Sequence, residues 1–283
     1  MLLFFAVASA LSRGAVLVVD EGVNRYDYLR LAGIAARALE EAPITVYLTG
    51  SLGVSECSKE IRNASCVVLE FPKFEAIEKW KEMEMGPTLR FLSRSHAAKI
   101  LALILSPYEV TLFLDADAHP CRSFDAIFQL LSSSSEGSLL DIYDFLAAQN
   151  VSPGFTRLGI PETYPIAFTE VNAGVIFARK SPALERFLFD WLDRFVETLR
   201  GQEDDYKAHV QQPLRAALYD AVRNGGLRLY VLPAIWNMRA WHRYLIEPRL
   251  LKPHTKPDSR CCFNASAIDI IIDHKCGSRY RVD

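Results

Sequence analysis

The run "VTLFL" at residues 110–114, followed at once by "DADAHPC", constrains the fold of this chain more than any other stretch. An apolar run without alternation suits a central strand of a parallel sheet, covered on both faces. The two carboxylates, Asp115 and Asp117, therefore fall at that strand's carboxyl end. In open α/β sheets this edge is where ligands bind.

Earlier segments repeat a strand-then-helix rhythm. "AVLVVD" (15–20) reads as a buried strand, and apolar positions recur at helical spacing over 26–39. "ITVYLTG" (44–50) and "CVVLEF" (66–71) read as strands around a short helix over 55–63 with Ser55 as its N-cap. A charged surface helix is expected over 74–85 and one with a long apolar face over 88–105. This alternation indicates α/β architecture with a mostly parallel central sheet flanked by helices.

Beyond the aspartates, "SSSSEGS" (132–138) and the Pro/Gly-rich stretch 150–165 read as loops. "VNAGVIFAR" (171–179) reads as a strand, and Ser181 caps a helix with Pro182 at its first position that runs to about Arg200. A helix over 211–224 and strands "LRLYVL" (227–232) and "IDIIID" (268–273) complete the reading. No repeat or linker divides the 283 residues, so the expectation is a single domain over 15–283 behind an apolar segment over 1–14. Its halves meet near residue 122.

Half of the residues are hydrophobic, enough for a substantial core. A net charge of −2 with scattered basic residues gives no reason to expect a nucleic-acid partner, because neutralising phosphates needs clustered Lys and Arg. The apolar run Leu2–Leu11 is shorter than the roughly 20 residues of a membrane span. It resembles a signal peptide with small residues in "AVASA" but lacks the basic start; a remnant membrane anchor or an artefactual N-terminus are the other readings. Asn63-Ala64-Ser65 and Asn264-Ala265-Ser266 are glycosylation sequons, while Asn150-Val151-Ser152 is weakened by Pro153. The six cysteines contain no CxxC pair, which argues against zinc-ribbon or thioredoxin-type chemistry. Cys57 and Cys66 flank a short helix and form either a disulfide or buried thiols. These features lean towards the secretory pathway and Golgi lumen, with the cytoplasm as the alternative.

Two Asp two residues apart at a strand end can turn both carboxylates towards one hard divalent cation, Mn²⁺ or Mg²⁺. Such an ion keeps positions open for phosphate oxygens and neutralises charge on a phosphate leaving group. The plainer reading is that one Asp caps the helix starting near Ser123 and the other is solvated. A third ligand should return from a distant segment: His274 directly follows "IDIIID", His254 lies in a Pro-flanked loop, and His119 is close in sequence but precedes a turn at Pro120. Asn172-Ala173-Gly174 opens a strand with small residues, which suits either close ligand approach or packing. Lys99 is a candidate partner for a diphosphate, or a solvated lysine.

"LFLDADAH", "VNAGVIFARKSP", "QQPLRAAL", "VLPAIWNMR" and "HKCG" occur in an order that resembles the nucleotide-diphospho-sugar transferases of the GT-A fold, particularly the glycogenin-like and plant cell-wall groups. The resemblance implies a Rossmann-like GT-A sheet with a nucleotide-binding half over about 15–122 and a donor-sugar and acceptor half over about 123–283. It also implies a metal-dependent glycosyltransferase using a UDP- or GDP-sugar, a glycan or protein acceptor, and retention of configuration. By that resemblance Asp115 touches ribose and metal, Asp117 and His274 bind the metal, and Lys99 meets the donor. Asn172 and Gly174 contact the sugar, Tyr26 or Tyr28 stacks on the base, and Gln212 faces the reacting carbon. Two departures stand out. Gln211-Gln212 replaces the family's usual Asp-Gln, with Asp204 or Asp205 as candidate substitutes, and the family's downstream Lys-Pro-Trp is missing, leaving Arg279 for the diphosphate.

Two rivals compete. A phosphatase of the haloacid dehalogenase type also places DxD after a buried strand and uses the first Asp, here Asp115, as nucleophile. Its motif usually opens the domain, whereas three strand-like runs precede it here. The other rival is a non-catalytic relative that binds a sugar nucleotide. A sugar-nucleotide pyrophosphorylase fits poorly, because "DEGVNRYDY" replaces the Gly-rich, Arg-containing loop expected after the first strand.

Overall fold

The computed structural model describes residues 12–20, 28–39, 41–133, 137–150, 165, 168–200, 210–239, 252–253, 263–264 and 272–274. The first half lays down strands β1 (Arg13–Val19), β2 (Ile44–Leu48), β3 (Ala64–Val68) and β4 (Val110–Asp115). Between them run helices α1 (Tyr28–Ala38), α2 (Val54–Glu60), α3 (Glu75–Glu82) and α4 (Pro87–Ile104). The chain continues through β5 (Ala118–Pro120), α5 (Phe124–Leu130), the hairpin β6 (Ser132–Ser133) and β7 (Gly137–Ser138), α6 (Leu139–Ile142) and β8 (Phe145–Gln149). Then come β9 (Val171–Arg179), α7 (Pro182–Leu199), α8 (Gln211–Arg223), β10 (Leu229–Leu232) and a 3-10 turn at Ala234–Asn237. Short strands β11 (Met238–Arg239), β12 (Lys252–Pro253), β13 (Phe263–Asn264) and β14 (Ile272–His274) follow.

Seven strands form the central sheet in the order β10-β8-β9-β4-β1-β2-β3. All neighbours are parallel except β9, which runs antiparallel to both β4 and β8. The side chains of β4 alternate between two cores: Phe113 packs with α3, α4, α7 and α8, and Leu112 and Leu114 pack with α1, α5 and the 3-10 turn. That two-sided burial explains why its sequence shows no polar alternation. Burying a Phe or Leu fully is worth about 1.5–3 kcal/mol, so the apolar run is held firmly in register. Against one end of the sheet, β5 pairs with β14, and β14 with β11, in a separate three-stranded sheet.

Helix α4 is anchored near its N-terminal half. Trp80 Nε1 donates to Ser93 Oγ at 2.9 Å, and the Arg90 guanidinium lies over the Trp80 ring while donating to Trp80 O at 2.9 Å. Both contacts tie α4 to α3.

Several boundaries depart from the sequence reading. Helix α2 begins at Val54 with Gly53 as its N-cap residue, because the Glu56 carboxylate accepts from Gly53 N at 3.1 Å and moves the helix start ahead of Ser55. The third strand starts two residues earlier than expected, paired with β2 from Ile44↔Ala64. Residues 132–138 form a small hairpin with Ser132 opposite Ser138 instead of a bare loop. Ser123 itself caps α5, its hydroxyl accepting from Ala126 N at 3.4 Å, so neither aspartate is needed there. "IDIIID" contributes to β14 and thus to the small sheet, with His274 inside the strand and 268–271 outside the described residues. Strand β8 was not anticipated. Residues 1–11 and 151–164 lie outside the described residues, and among those described no helix is long and apolar enough to cross a membrane.

Candidate active site

Strands β1 and β4 lie side by side in parallel register, with Val18 opposite Asp115. Strand alternation then decides what the acids face. Val16 and Phe113 point into the core beneath α4, so Asp20 and Asp115 are aimed to the same side at the carboxyl edge. Helix α4 meets each with a cation. Arg94 donates to both Asp20 oxygens, Nη2 to Oδ1 at 2.8 Å and Nε to Oδ2 at 3.3 Å, and Lys99 Nζ lies 2.6 Å from Asp115 Oδ1.

These pairs are partly screened from bulk water, with Arg94 the most exposed member. The side chains of Asp20, Lys99 and Asp115 are 4%, 12% and 22% exposed. Removing one partner of such a pair leaves a poorly solvated charge and is costly. Lys99 also stands 5.7 Å from the Phe113 ring centroid, a further cation-stabilising contact. The solvated-lysine reading of Lys99 is thereby corrected: its ammonium is engaged by the first aspartate. Asp20 and Arg94 were missed by sequence reasoning. Their signal was present in an acid directly after the first buried strand and a basic residue five before Lys99.

Asp117 is half-buried in the two-residue turn between β4 and β5. The next ladder brings β14 alongside, pairing Ala118 with His274 and His119 with Asp273. The His274 backbone is therefore one position beyond Asp117, although its side chain lies outside the description. His254 is also outside the described residues, and His119 is buried. Among the described residues no three His, Cys, Asp or Glu side chains are grouped to hold a metal. Asp115 and Asp117 at this strand end supply oxygen donors of the kind a hard divalent cation takes.

Strand β9 brings the sugar-contact candidates to the same place. Its ladder with β4 ends at Leu114↔Val175, leaving Asp115 and Gly174 next in line. The side chain of Asn172 is buried, and its Oδ1 accepts from Gly174 N at 2.8 Å and from Asn237 Nδ2 at 2.7 Å. Its Nδ2 has no hydrogen-bond partner among the described residues. A buried donor without an acceptor costs about 1–3 kcal/mol, a cost a bound ligand's oxygen would relieve.

Gln211, the residue in place of the expected aspartate, opens α8. Its amide, oriented by its partners, donates to Val171 O at 2.7 Å and accepts from Ala173 N at 3.2 Å. It straps the start of α8 to the backbone on both sides of Asn172. Gln212 is exposed beside it. Tyr28 begins α1 and is half-buried. Tyr26, Asp204, Asp205 and Arg279 lie outside the described residues.

One further acid adjoins this strand. Glu170 immediately precedes β9, and Asn150 Nδ2 donates to its Oε1. Burial raises its carboxyl above the ordinary value, against opposing contributions from the Asn150 hydrogen bond and the Arg215 charge. No pattern in the sequence distinguished it.

Comparison of the whole chain with solved structures gives its architecture. It is similar to the galactosyltransferase LgtC, solved with donor and acceptor sugar analogues: TM-score 0.55 and 14% identity over 93% of this chain and 87% of that one. The chain has the GT-A-type glycosyltransferase fold. The glycosyltransferase GlyE of Streptococcus pneumoniae TIGR4 is also similar, with TM-score 0.51 and 14% identity over 94% of this chain and 55% of that one. The bifunctional glycosyltransferase WbbM matches with TM-score 0.50 and 10% identity over 81% of this chain and 40% of that one. No protein-family model matches the sequence, and a search of curated proteins returns no significant match. Within the GT-A frame the aspartate-phosphatase reading is not favoured, and three strands precede Asp115.

Proposed function

We propose that this chain is a glycosyltransferase moving a sugar from a UDP- or GDP-sugar to a hydroxyl of a glycan or protein acceptor, with a divalent metal and retention of configuration. The observation that carries the reading is the Asp115–Asp117 step at the carboxyl edge of β4, beside Asn172–Gly174 of β9, in a GT-A sheet. Asp115, Asp117 and His274 would hold Mn²⁺ or Mg²⁺, which when bound supplies stabilisation of the negative charge on the departing nucleotide diphosphate.

The chain's own residues do the rest. Asn172 Nδ2 donates to a donor-sugar oxygen, and Gly174 presents no side chain to obstruct the sugar. Tyr28 or Tyr26 stacks on the base, Arg279 neutralises the diphosphate, and Lys99 fixes the Asp115 carboxylate. The acceptor oxygen bonds to the anomeric carbon on the face that the diphosphate leaves, beside Gln212, as the bond to the phosphate oxygen breaks and the hydroxyl proton passes to that departing oxygen. In this reading residues 15–122 serve the nucleotide and 123–283 the sugar and acceptor.

The test is a thermal-shift and hydrolysis screen of UDP- and GDP-sugars with and without Mn²⁺. A nucleotide sugar that raises the melting temperature only when the metal is present supports the reading. Absence of any metal-dependent stabilisation across the panel overturns it.

A further inference from the structure

Asn63 occupies the second central position of a tight turn, Ile61 to Ala64, closed by Ala64 N donating to Ile61 O at 3.2 Å. Both Asn63 and Ser65 of its sequon are exposed. A disulfide joins Cys57 to Cys66 across a separation of 9 residues, and so encloses the sequon in a short covalent loop. Cys121 is disulfide-bonded as well. Disulfides of this kind form and persist in oxidising compartments, which include the one where sequons are modified.

The turn leads into β3, the last strand of the central sheet. No other described strand pairs with its outer side, and Val67 and Val68 on it are 40% and 49% exposed. An open strand edge bearing apolar side chains invites pairing with another chain unless something covers it.

The weaker sequon is situated differently. The Asn150 backbone N donates to Glu170 O at 2.8 Å, and its side-chain nitrogen, the atom a glycan would occupy, donates to the Glu170 carboxylate. A sugar there would displace a hydrogen bond to the half-buried Glu170, beside the candidate active site.

We propose that Asn63 is an N-glycan acceptor, that Asn150 is not, and that the Asn63 glycan shields the edge of β3. The Asn63 amide nitrogen bonds to the anomeric carbon of an oligosaccharide carried on a lipid diphosphate. The carbon–oxygen bond to the diphosphate breaks, the lipid diphosphate leaves, and the amide gives up one proton. The folded state tolerates the product because the turn projects Asn63 away from both cores.

The full chain, directed into the lumen of the secretory pathway of insect cells by a cleavable signal, provides the test. Site-resolved peptide mapping after treatment with an amidase that releases N-glycans should find aspartate at position 63 and unaltered asparagine at 150. Asn63→Gln and Ser65→Ala should each lose the same single glycan, whereas Asn150→Gln loses none. A secreted, disulfide-bonded chain with bare Asn63, or with a glycan on Asn150, overturns the site assignment. Deglycosylating the folded protein should raise its light scattering at fixed concentration; unchanged scattering overturns the shielding role.

Discussion

Lys99 Nζ lies 2.6 Å from Asp115 Oδ1, so the first aspartate of the DxD step meets a cation supplied by the chain itself. Lys99→Met keeps most of the aliphatic stem and deletes the charge. It should lower stability by up to about 3 kcal/mol, the low end of the range for breaking a buried pair because Asp115 keeps some exposure, read as a shift of the urea midpoint. Because a competing cation is gone, Mn²⁺ alone should raise the melting temperature of this variant more than that of the wild type. An equal or smaller rise would show that Lys99 and the metal do not share Asp115.

Asp117 belongs to the turn that follows the buried strand, and the strand itself is held by its apolar run. Asp117→Ala should keep the cooperative unfolding of the wild type, read by urea denaturation. It should lose the metal-dependent stabilisation by nucleotide sugar. Undiminished stabilisation in the variant would remove Asp117 from the metal site.

Gln211 tests whether its amide strap matters. Gln211→Ala should cost about 1 kcal/mol for the lost hydrogen bonds, and Gln211→Glu should cost more. A carboxylate cannot donate to Val171 O and sets two acceptors against a carbonyl. Urea denaturation orders the two variants; a glutamate variant as stable as wild type would contradict the strap.

The raised Glu170 carboxyl has a pH consequence. Its ordinary value is 4.5, and burial makes ionisation harder in the folded state than in the unfolded chain. The folded state therefore holds the proton more tightly, and this contribution to stability is full below 4.5 and lost as pH rises through the higher folded value. Glu170→Gln cannot ionise, so its stability should fall less than that of wild type as pH rises from 4.5 through the higher folded value. Parallel stability curves for the two proteins would exclude Glu170 as the source.

The Cys57–Cys66 link spans 9 residues, for which loop-closure entropy gives about 2–3 kcal/mol. The double replacement Cys57→Ser with Cys66→Ser should lower the melting temperature accordingly, and a reducing agent should add nothing to the change at that pair. Mass analysis of the intact wild type under non-reducing digestion checks the pairing.

The carboxyl-edge placement of Asp115 was legible because burial on both faces erases polar alternation, and "VTLFL" shows no alternation. The Cys57–Cys66 pairing was open between two readings, and proximity in the fold decided it. What the sequence could not reveal depends on side chains meeting across elements. Arg94 and Asp20 are 74 residues apart, and their pairing follows from the packing of α4 against β1. Gln211 read as a missing acid because identity alone cannot show that its amide engages the backbone flanking Asn172. Helix α2 started early because Glu56, an unremarkable exposed acid in a linear reading, satisfies the amide of Gly53.

Helix α4 behaves as a ruler. Arg94 and Lys99 are five residues apart on it, a rise of about 7.5 Å, and they meet acids on two adjacent strands. A slide of the helix along its axis would detune both ion pairs together, so the two acids share one mechanical adjustment. The anchor for that adjustment is the Trp80–Ser93 contact on α3, with Arg90 laid across the indole. Variation around Trp80 therefore reaches the carboxylate edge at a distance, through the seating of α4.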